Sequence, residues 1–479
     1  MASLWPTRDR TPPAPWPENT TAATRESRPA PPRQAPQPQA PGGAPARGQR
    51  LAWLDALRGI AALCVVYAHF GTRVLPSVHT AVYSFFDPGL YGVLVFFMIS
   101  GYIVPASLER KGSVRTFWLS RLFRLFPLFV FAIAAVLLLH GLGRASLRGA
   151  DNNVTASVFA HLFMLNDLLG GSDVIVVLWT LSYEMVFYLL LMALFTAGWH
   201  RRSGRLAAVF AAGALLLGGL LPAIWLSHSS LGSTRVALAC DLLIMGGLVL
   251  AVAARGRSRT LGAWLAAATG LVLVAFNERA GAFEGLTILA LMFTGTMLYR
   301  AEQGQIRRGR AAAVAVGIFA AAIVAGAWHL PADGAWRIPL ISAQRQTVLH
   351  QREWVMSVAL AGLTFAIGMA LRHRPVPAVL AWLGLVSYSL YLLHPLLLDV
   401  YDAIPLTHGH RPVGLQLALA SGFLVALLAC CAVTYYLVEA PMQRLGRRVT
   451  ARLDARFGPD RLDARFRPGR LVAAGAPAS

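Results

Sequence analysis

What most constrains this chain is a succession of apolar segments, each close to the length of one membrane crossing. They fall at about 51–71, 88–106, 123–142, 178–198, 206–227, 235–254, 260–277, 283–300, 311–329, 354–371, 378–400 and 414–438. A hydrocarbon core roughly 30 Å thick takes about 20 helical residues, and the segments at 260–277, 283–300 and 354–371 sit near the lower limit. In lipid every backbone polar group must be bonded within the protein, which leaves helices or closed barrels. Runs this long without period-two alternation are helical. The expected fold is therefore all-α, a polytopic transmembrane helix bundle of about 10–12 membrane-spanning helices. Composition agrees, since 14% of residues are charged against about 25% in soluble domains.

The connections between segments carry a second pattern. Arg110, Lys111, Arg115 and Arg121 fall in one loop region, then Arg201, Arg202 and Arg205, then Arg255, Arg257 and Arg259. Arg300, Arg307, Arg308 and Arg310 follow, and then Arg372 and Arg374. The intervening loops are poorer in basic residues for their length. An excess of arginine marks the cytoplasmic side, so both termini are expected in the cytoplasm.

Residues 1–50 hold 12 of the 28 prolines and have no apolar periodicity, a composition expected to be a disordered cytoplasmic tail. The membrane domain is expected over 51–445, and 446–479 reads as a basic cytoplasmic tail. That tail contains the short repeat RLDARFGPD and RLDARFRPG at 452–469. It is either solvated or laid on anionic lipid.

The formal net charge of +21 does not point to nucleic acid, because the arginines cluster in short loops between apolar segments. Cys64, Cys240, Cys430 and Cys431 all lie within such segments and have neither a disulfide framework nor metal-ligand spacing.

Ionisable residues inside a span are costly and mark function. The first segment, LAWLDALRGIAALCVVYAHFG, holds Asp55, Arg58 and His69. Eleven residues separate Arg58 from His69, which at about 100° per residue returns to nearly the same face, roughly 16 Å along the axis. An Asp55–Arg58 pair at i,i+3 that anchors the helix is the plainer reading. YGVLVFFMISGYIV contains Ser100 beside Gly101, a small pair that close helix packing would explain. In SRLFRLFP, Arg121 and Arg124 share a face at i,i+3, suited either to lipid phosphates or to a ligand's phosphates. Pro127 suits the first turn of that span.

LWTLSYEMVFYLL carries Glu184 among Trp179, Tyr183 and Tyr188. A carboxylate there partners a buried Arg or His, or handles protons. In LVSYSLYLLHPLLL, Ser387, Tyr391 and His394 fall on one face with Tyr388 beside them. The chain leaves its last span as YYLVEAPMQRLGRR, where Pro441 is expected to end the helix.

Together, in this order over about 51–445, these motifs resemble the acyltransferase-3 family of multi-spanning membrane acyltransferases. The resemblance implies transfer of an acyl group, often acetyl, from acyl-CoA to a hydroxyl of a sugar, glycan or macrolide-type acceptor, in the inner membrane of a bacterial cell. It implies His69 as the base, in the right ordinary pKa range, with Glu184 orienting His69 or an arginine. Arg58, Arg121 and Arg124 would take the CoA phosphates. Ser100, Tyr388, Tyr391 and His394 would contact the acceptor or the thioester. Acyl-CoA is then a co-substrate, acetyl-CoA the simplest, with no bound cofactor and no metal; the partners are the acceptor and membrane lipid. The rival class is a proton-coupled transporter or flippase, for which many spans and buried Arg, His and Glu would also serve. Against it stands the absence of internal similarity between the two halves.

Overall fold

The computed structural model describes residues 52–144, 154–169, 174–221, 225–227, 230–277, 281–330, 351–404 and 412–458. The tail at 1–50 and the second copy of the C-terminal repeat lie outside the described residues. What is described is helical, and ten helices are long and apolar enough to cross a membrane, or eleven if a bent pair counts as one span. This is a multi-pass membrane protein built as an all-α bundle.

In chain order the elements are α1 (Ala52–Val74), α2 (Pro76–Tyr83), α3 (Pro88–Lys111), α4 (Val114–Gly141), α5 (Val154–Leu162) and α6 (Trp179–Thr196). There follow α7 (Ser203–Leu217), α8 (Ser230–Ala253), α9 (Gly256–Phe276), α10 (Ala282–Glu302) and α11 (Arg308–His329). The last are α12 (Gln351–Leu371), α13 (Ala378–Leu385), α14 (Ser387–Asp402), α15 (Val413–Thr434) and α16 (Ala440–Phe457).

Each of the twelve apolar segments has a helix, but two are not simple spans. The segment at 206–227 is represented by α7, only 15 residues long, and the segment at 378–400 is broken at Val386 into α13 and α14, bent by 68°.

Two prolines behave differently from the expectation. Pro127 lies inside α4 rather than in its first turn, because that helix starts at Val114, where the Ser113 side chain accepts from the N–H of Thr116. Pro441 does not end the last helix. It lies in the first turn of α16, and the five residues before that helix, Tyr435–Glu439, form a π-helical turn joining α15 to α16. Proline removes an N–H and crowds the carbonyl four residues back. A widened turn relieves both, so the helix passes through.

At the centre stand α6, α10 and α3, whereas α4 and α11 turn much of their apolar surface outward. The face of α3 toward α10 depends on two glycines. A Cβ on Gly101 would lie 1.8 Å from the Met292 carbonyl oxygen, and one on Gly295 would lie 2.3 Å from that of Met98. The backbones therefore meet directly, which is how membrane helices gain contact area without a hydrophobic driving force. Thr296 Oγ1 donates to the Gly101 carbonyl at 2.8 Å across the same seam. On its other side α3 packs against α1.

The described part of the stretch leading into α6 is buried rather than spread over the surface. Met164, Leu165, Leu168, Leu169, Ile175, Val177 and Leu178 are almost wholly buried. α6 accordingly starts inside the bundle, behind an irregular wall of protein.

Candidate active site

One cavity of about 90 Å³ lies among α1, α3, α4, α6 and α14. Its apolar wall is Val93, Phe96, Phe97, Ile99, Ile103 and Val104 of α3 with Leu125 and Leu181. Its polar lining is Arg58, Ser100, Arg121, Arg124, Thr180, Glu184, Ser387, Tyr388 and Tyr391. Seven of the nine candidate site residues thus share one space: Arg58, Ser100, Arg121, Arg124, Glu184, Tyr388 and Tyr391. His69 and His394 do not line it.

The local sequence explains each placement. Arg121 and Arg124, one helical turn apart on α4, both face inward as their i,i+3 spacing requires. Arg121 is buried, and its guanidinium carbon lies 5.5 Å from the Phe117 ring centroid and 5.1 Å from that of Tyr188. Cation–π contact offsets part of its desolvation, yet its Nε meets no acceptor among the described residues. Arg58 on α1 is held beside the cavity, with its Nη1 4.0 Å from Asp55 Oδ1. The expected anchoring pair is therefore present but loose, and Arg58 remains available to the cavity. Gly384 permits this arrangement, because a Cβ there would lie 2.0 Å from the Asp55 carbonyl oxygen.

Glu184 accepts from Ser100 Oγ at 3.1 Å and from the Tyr188 hydroxyl one turn along α6. Of the two kinds of partner expected for this carboxylate, arginine is within its electrostatic reach, at Arg58 and Arg121. Ser100, whose neighbourhood reads as simple packing, serves both purposes: Gly101 makes the close helix contact and Ser100 turns to the carboxylate.

Two helix starts complete the lining. Thr180 and Leu181 open α6, and Ser387 and Tyr388 open α14; neither helix is capped by its own N-cap side chain. Helix N-termini carry partial positive charge, which adds to that of the three arginines. Tyr391 joins the two helices, its hydroxyl 2.8 Å from Thr180 Oγ1 and donating to the Val177 carbonyl at 3.1 Å. Tyr388 donates to the Leu125 carbonyl at 2.9 Å.

His69 and His394 form a second station beyond Tyr391. Their ring centroids are 5.2 Å apart, and the Tyr391 and His394 rings are 6.3 Å apart. His394 is fully buried, with Nδ1 3.0 Å from the Leu390 carbonyl oxygen and Nε2 without a hydrogen-bond partner among the described residues. A carbonyl only accepts, so Nδ1 carries the proton and Nε2 keeps its lone pair.

Sequence reasoning missed Thr180, whose place depends on the buried start of α6; spacing puts Ser387 on one face with Tyr391 and His394 but gives it no role, which depends on the break at Val386. Tyr188 was visible as the i+4 neighbour of Glu184.

The profile of the acyltransferase-3 family, described as an acyltransferase domain, matches residues 51–436. The chain belongs to the acyltransferase-3 family. Acyltransferase MdmB of Streptomyces mycarofaciens is 32% identical over 154 residues, covering 30% of this chain and 39% of that protein. Nodulation protein 10 of Rhizobium leguminosarum bv. viciae is 34% identical over 138 residues, covering 25% and 37%. The chain thus spans about two fifths of the length of these curated relatives. No solved structure matches it.

Proposed function

We propose that this protein is a bacterial inner-membrane O-acyltransferase with both termini in the cytoplasm, moving an acyl group, acetyl in the simplest case, from acyl-CoA to a hydroxyl of a sugar, glycan or macrolide-type acceptor. The observation that carries the reading is the convergence of Arg58, Arg121 and Arg124 with two helix starts on one apolar-walled cavity. Guanidinium groups match phosphate oxygens bidentately, and helix N-termini favour anions. Such a cavity suits a donor that is anionic at one end and slender and apolar along its length. Family membership supplies the reaction class, and the name of MdmB in particular makes acyl transfer the fitting chemistry.

The step needs a base, a nucleophile and a leaving group. His69 takes the proton of the acceptor hydroxyl, whose oxygen attacks the thioester carbonyl carbon. The carbon–sulfur bond breaks, the ester forms and CoA leaves as the thiolate, which is then protonated. His394 stands against His69 with a free lone pair, suited to sharing the proton that His69 gains. Tyr391 and Tyr388 lie between the arginines and this pair, where the thioester would pass. Ser100 and Glu184 set the charge balance around Arg58 and Arg121.

The test is release of free CoA from acetyl-CoA by the detergent-purified protein. Wild type is expected to turn over slowly without acceptor, His69→Ala to lose that turnover, and Arg121→Met to raise KM for acetyl-CoA about 10–100-fold, the loss of one charge-assisted hydrogen-bonded contact. Absence of both turnover and any thermal stabilisation by acetyl-CoA in wild type, together with solute flux into vesicles, would overturn the reading in favour of transport.

A further inference from the structure

Glu439 is a buried acid that does not line the cavity, although Arg58 and Arg124 lie within its electrostatic reach. It lies at the end of the π-helical turn, 4% exposed, where the same helix turns Tyr436 and Leu437 outward. In an uninterrupted α-helix the backbone would keep its 3.6-residue turn. The extra residue of the π-turn, placed just before Pro441, re-aims this one side chain. Such turns recur at functional positions because they re-aim side chains without breaking the helix.

The carboxylate points at the start of α14. Ser389 Oγ donates to Glu439 Oε1, Thr434 Oγ1 donates to Ser389 Oγ at 3.0 Å, and the backbone N–H of Ser389 lies against the same carboxylate. Ser389 is the third residue of α14, whose own N-cap, Val386, has no side-chain acceptor. The first N–H groups of a helix need acceptors, and a cap is conventionally supplied by the preceding residue. Here the acceptor comes from a different helix, some fifty residues on. α14 begins immediately after the 68° break, so nothing from α13 continues its hydrogen-bond ladder. Tyr388 and Tyr391 flank Ser389 and line the cavity.

From this geometry we infer that Glu439 is a positioning residue: by capping α14 through Ser389 it fixes the direction in which Tyr388 and Tyr391 enter the cavity. The inference rests on the acyl-transfer reading for its kinetic consequence and stands apart from it structurally. What matters is the acceptor oxygen rather than the charge. Glutamine keeps that oxygen; alanine does not.

Two measurements on the full-length detergent-purified protein test this. The first is amide hydrogen exchange, followed by mass spectrometry, over the first turn of α14. Glu439→Ala should raise exchange at 387–390 at least tenfold, Ser389→Ala should raise it less, and Glu439→Gln should stay within about threefold of wild type. The second is CoA release, in which Glu439→Ala should lower kcat at least tenfold with KM for acetyl-CoA within threefold, and Glu439→Gln should restore kcat. Ser389→Ala keeps the question answerable should Glu439→Ala fail to fold. Unchanged exchange in Ser389→Ala and Glu439→Ala would overturn the inference, as would a Glu439→Gln protein no better than Glu439→Ala. Raised exchange in Glu439→Ala and Ser389→Ala, beside a wild type that neither releases CoA nor is stabilised by acetyl-CoA and that carries solute flux, would overturn the acyl-transfer reading while leaving the cap in place.

Discussion

Two buried arginines, Arg121 and Arg300, show how differently one side chain can be used in this bundle. Arg300 ends α10 in a closed clamp. Its Nη1 donates to Gln305 Oε1 at 2.8 Å, its Nη2 donates to the His200 carbonyl at 2.9 Å, and it forms an ion pair with Glu109 at the end of α3. Arg121 is buried almost as deeply; the Nε of both arginines lacks an acceptor among the described residues, but where the Nη groups of Arg300 are clamped, Arg121 faces two aromatic rings and a cavity. A buried charge with its partners in place holds a structure together. One left partly unanswered is held ready for something else. α3 runs from one region to the other, carrying Ser100 at the cavity and Glu109 at the clamp.

The largest expected effect separates the two arginines by stability. Arg300→Met strands Glu109, and breaking a buried pair costs about 3–5 kcal/mol. Thermal unfolding in detergent should show a large loss for Arg300→Met and none for Arg121→Met. A similar fall in both would erase the distinction.

An intermediate effect is expected from Gly101→Ala, which strikes the helix shared by both regions. The added methyl meets the Met292 backbone, and overpacking of this kind costs about 1–3 kcal/mol. Both the melting temperature and KM for acetyl-CoA should move. A change in melting alone would mean that the cavity is insulated from the α3–α10 seam.

The smallest effect lies at the clamp. Burial, then the charges of Arg300 and Arg201, push the His200 imidazole down to about 4 from an ordinary 6.5. The folded state therefore favours neutral His200, so its contribution is fully present above about pH 6.5 and is lost as pH falls toward 4. Melting temperatures between pH 7.5 and 4.5 should decline less steeply in His200→Gln than in wild type.

Much of this was legible in the sequence because membrane spans and their misfit residues are strong signals. Arg121 and Arg124 could be placed on one face by spacing alone, and their shared cavity follows from that face. Tyr388 and Tyr391 were legible as neighbours of the site. The break at Val386 was not, since Gly384 and Ser387 beside it are also common inside membrane helices and neither marks a stop by itself. Glu439 was masked by Pro441, which reads as an ending; only a π-turn, which has no local sequence signature, turns that ending into a capping device. That His69 does not line the cavity depends on how α1, α6 and α14 pack, which no single helix pattern specifies.

The buried start of α6 also bears on how such a protein is made. Residues 163–169 and 174–175 are not in a regular helix, so their backbone polar groups are ones that lipid cannot satisfy, and the Val177 carbonyl accepts from the Tyr391 hydroxyl on α14, more than two hundred residues later. That stretch cannot settle beside the first four spans alone. Its hydrogen bonds reach Ser182 on α6, Asn277 at the end of α9 and Tyr391 on α14, so the wall between the two helix starts is completed only when α14 has entered the membrane. A ribosome stalled before α14 would leave a set of inserted spans with no working pocket among them.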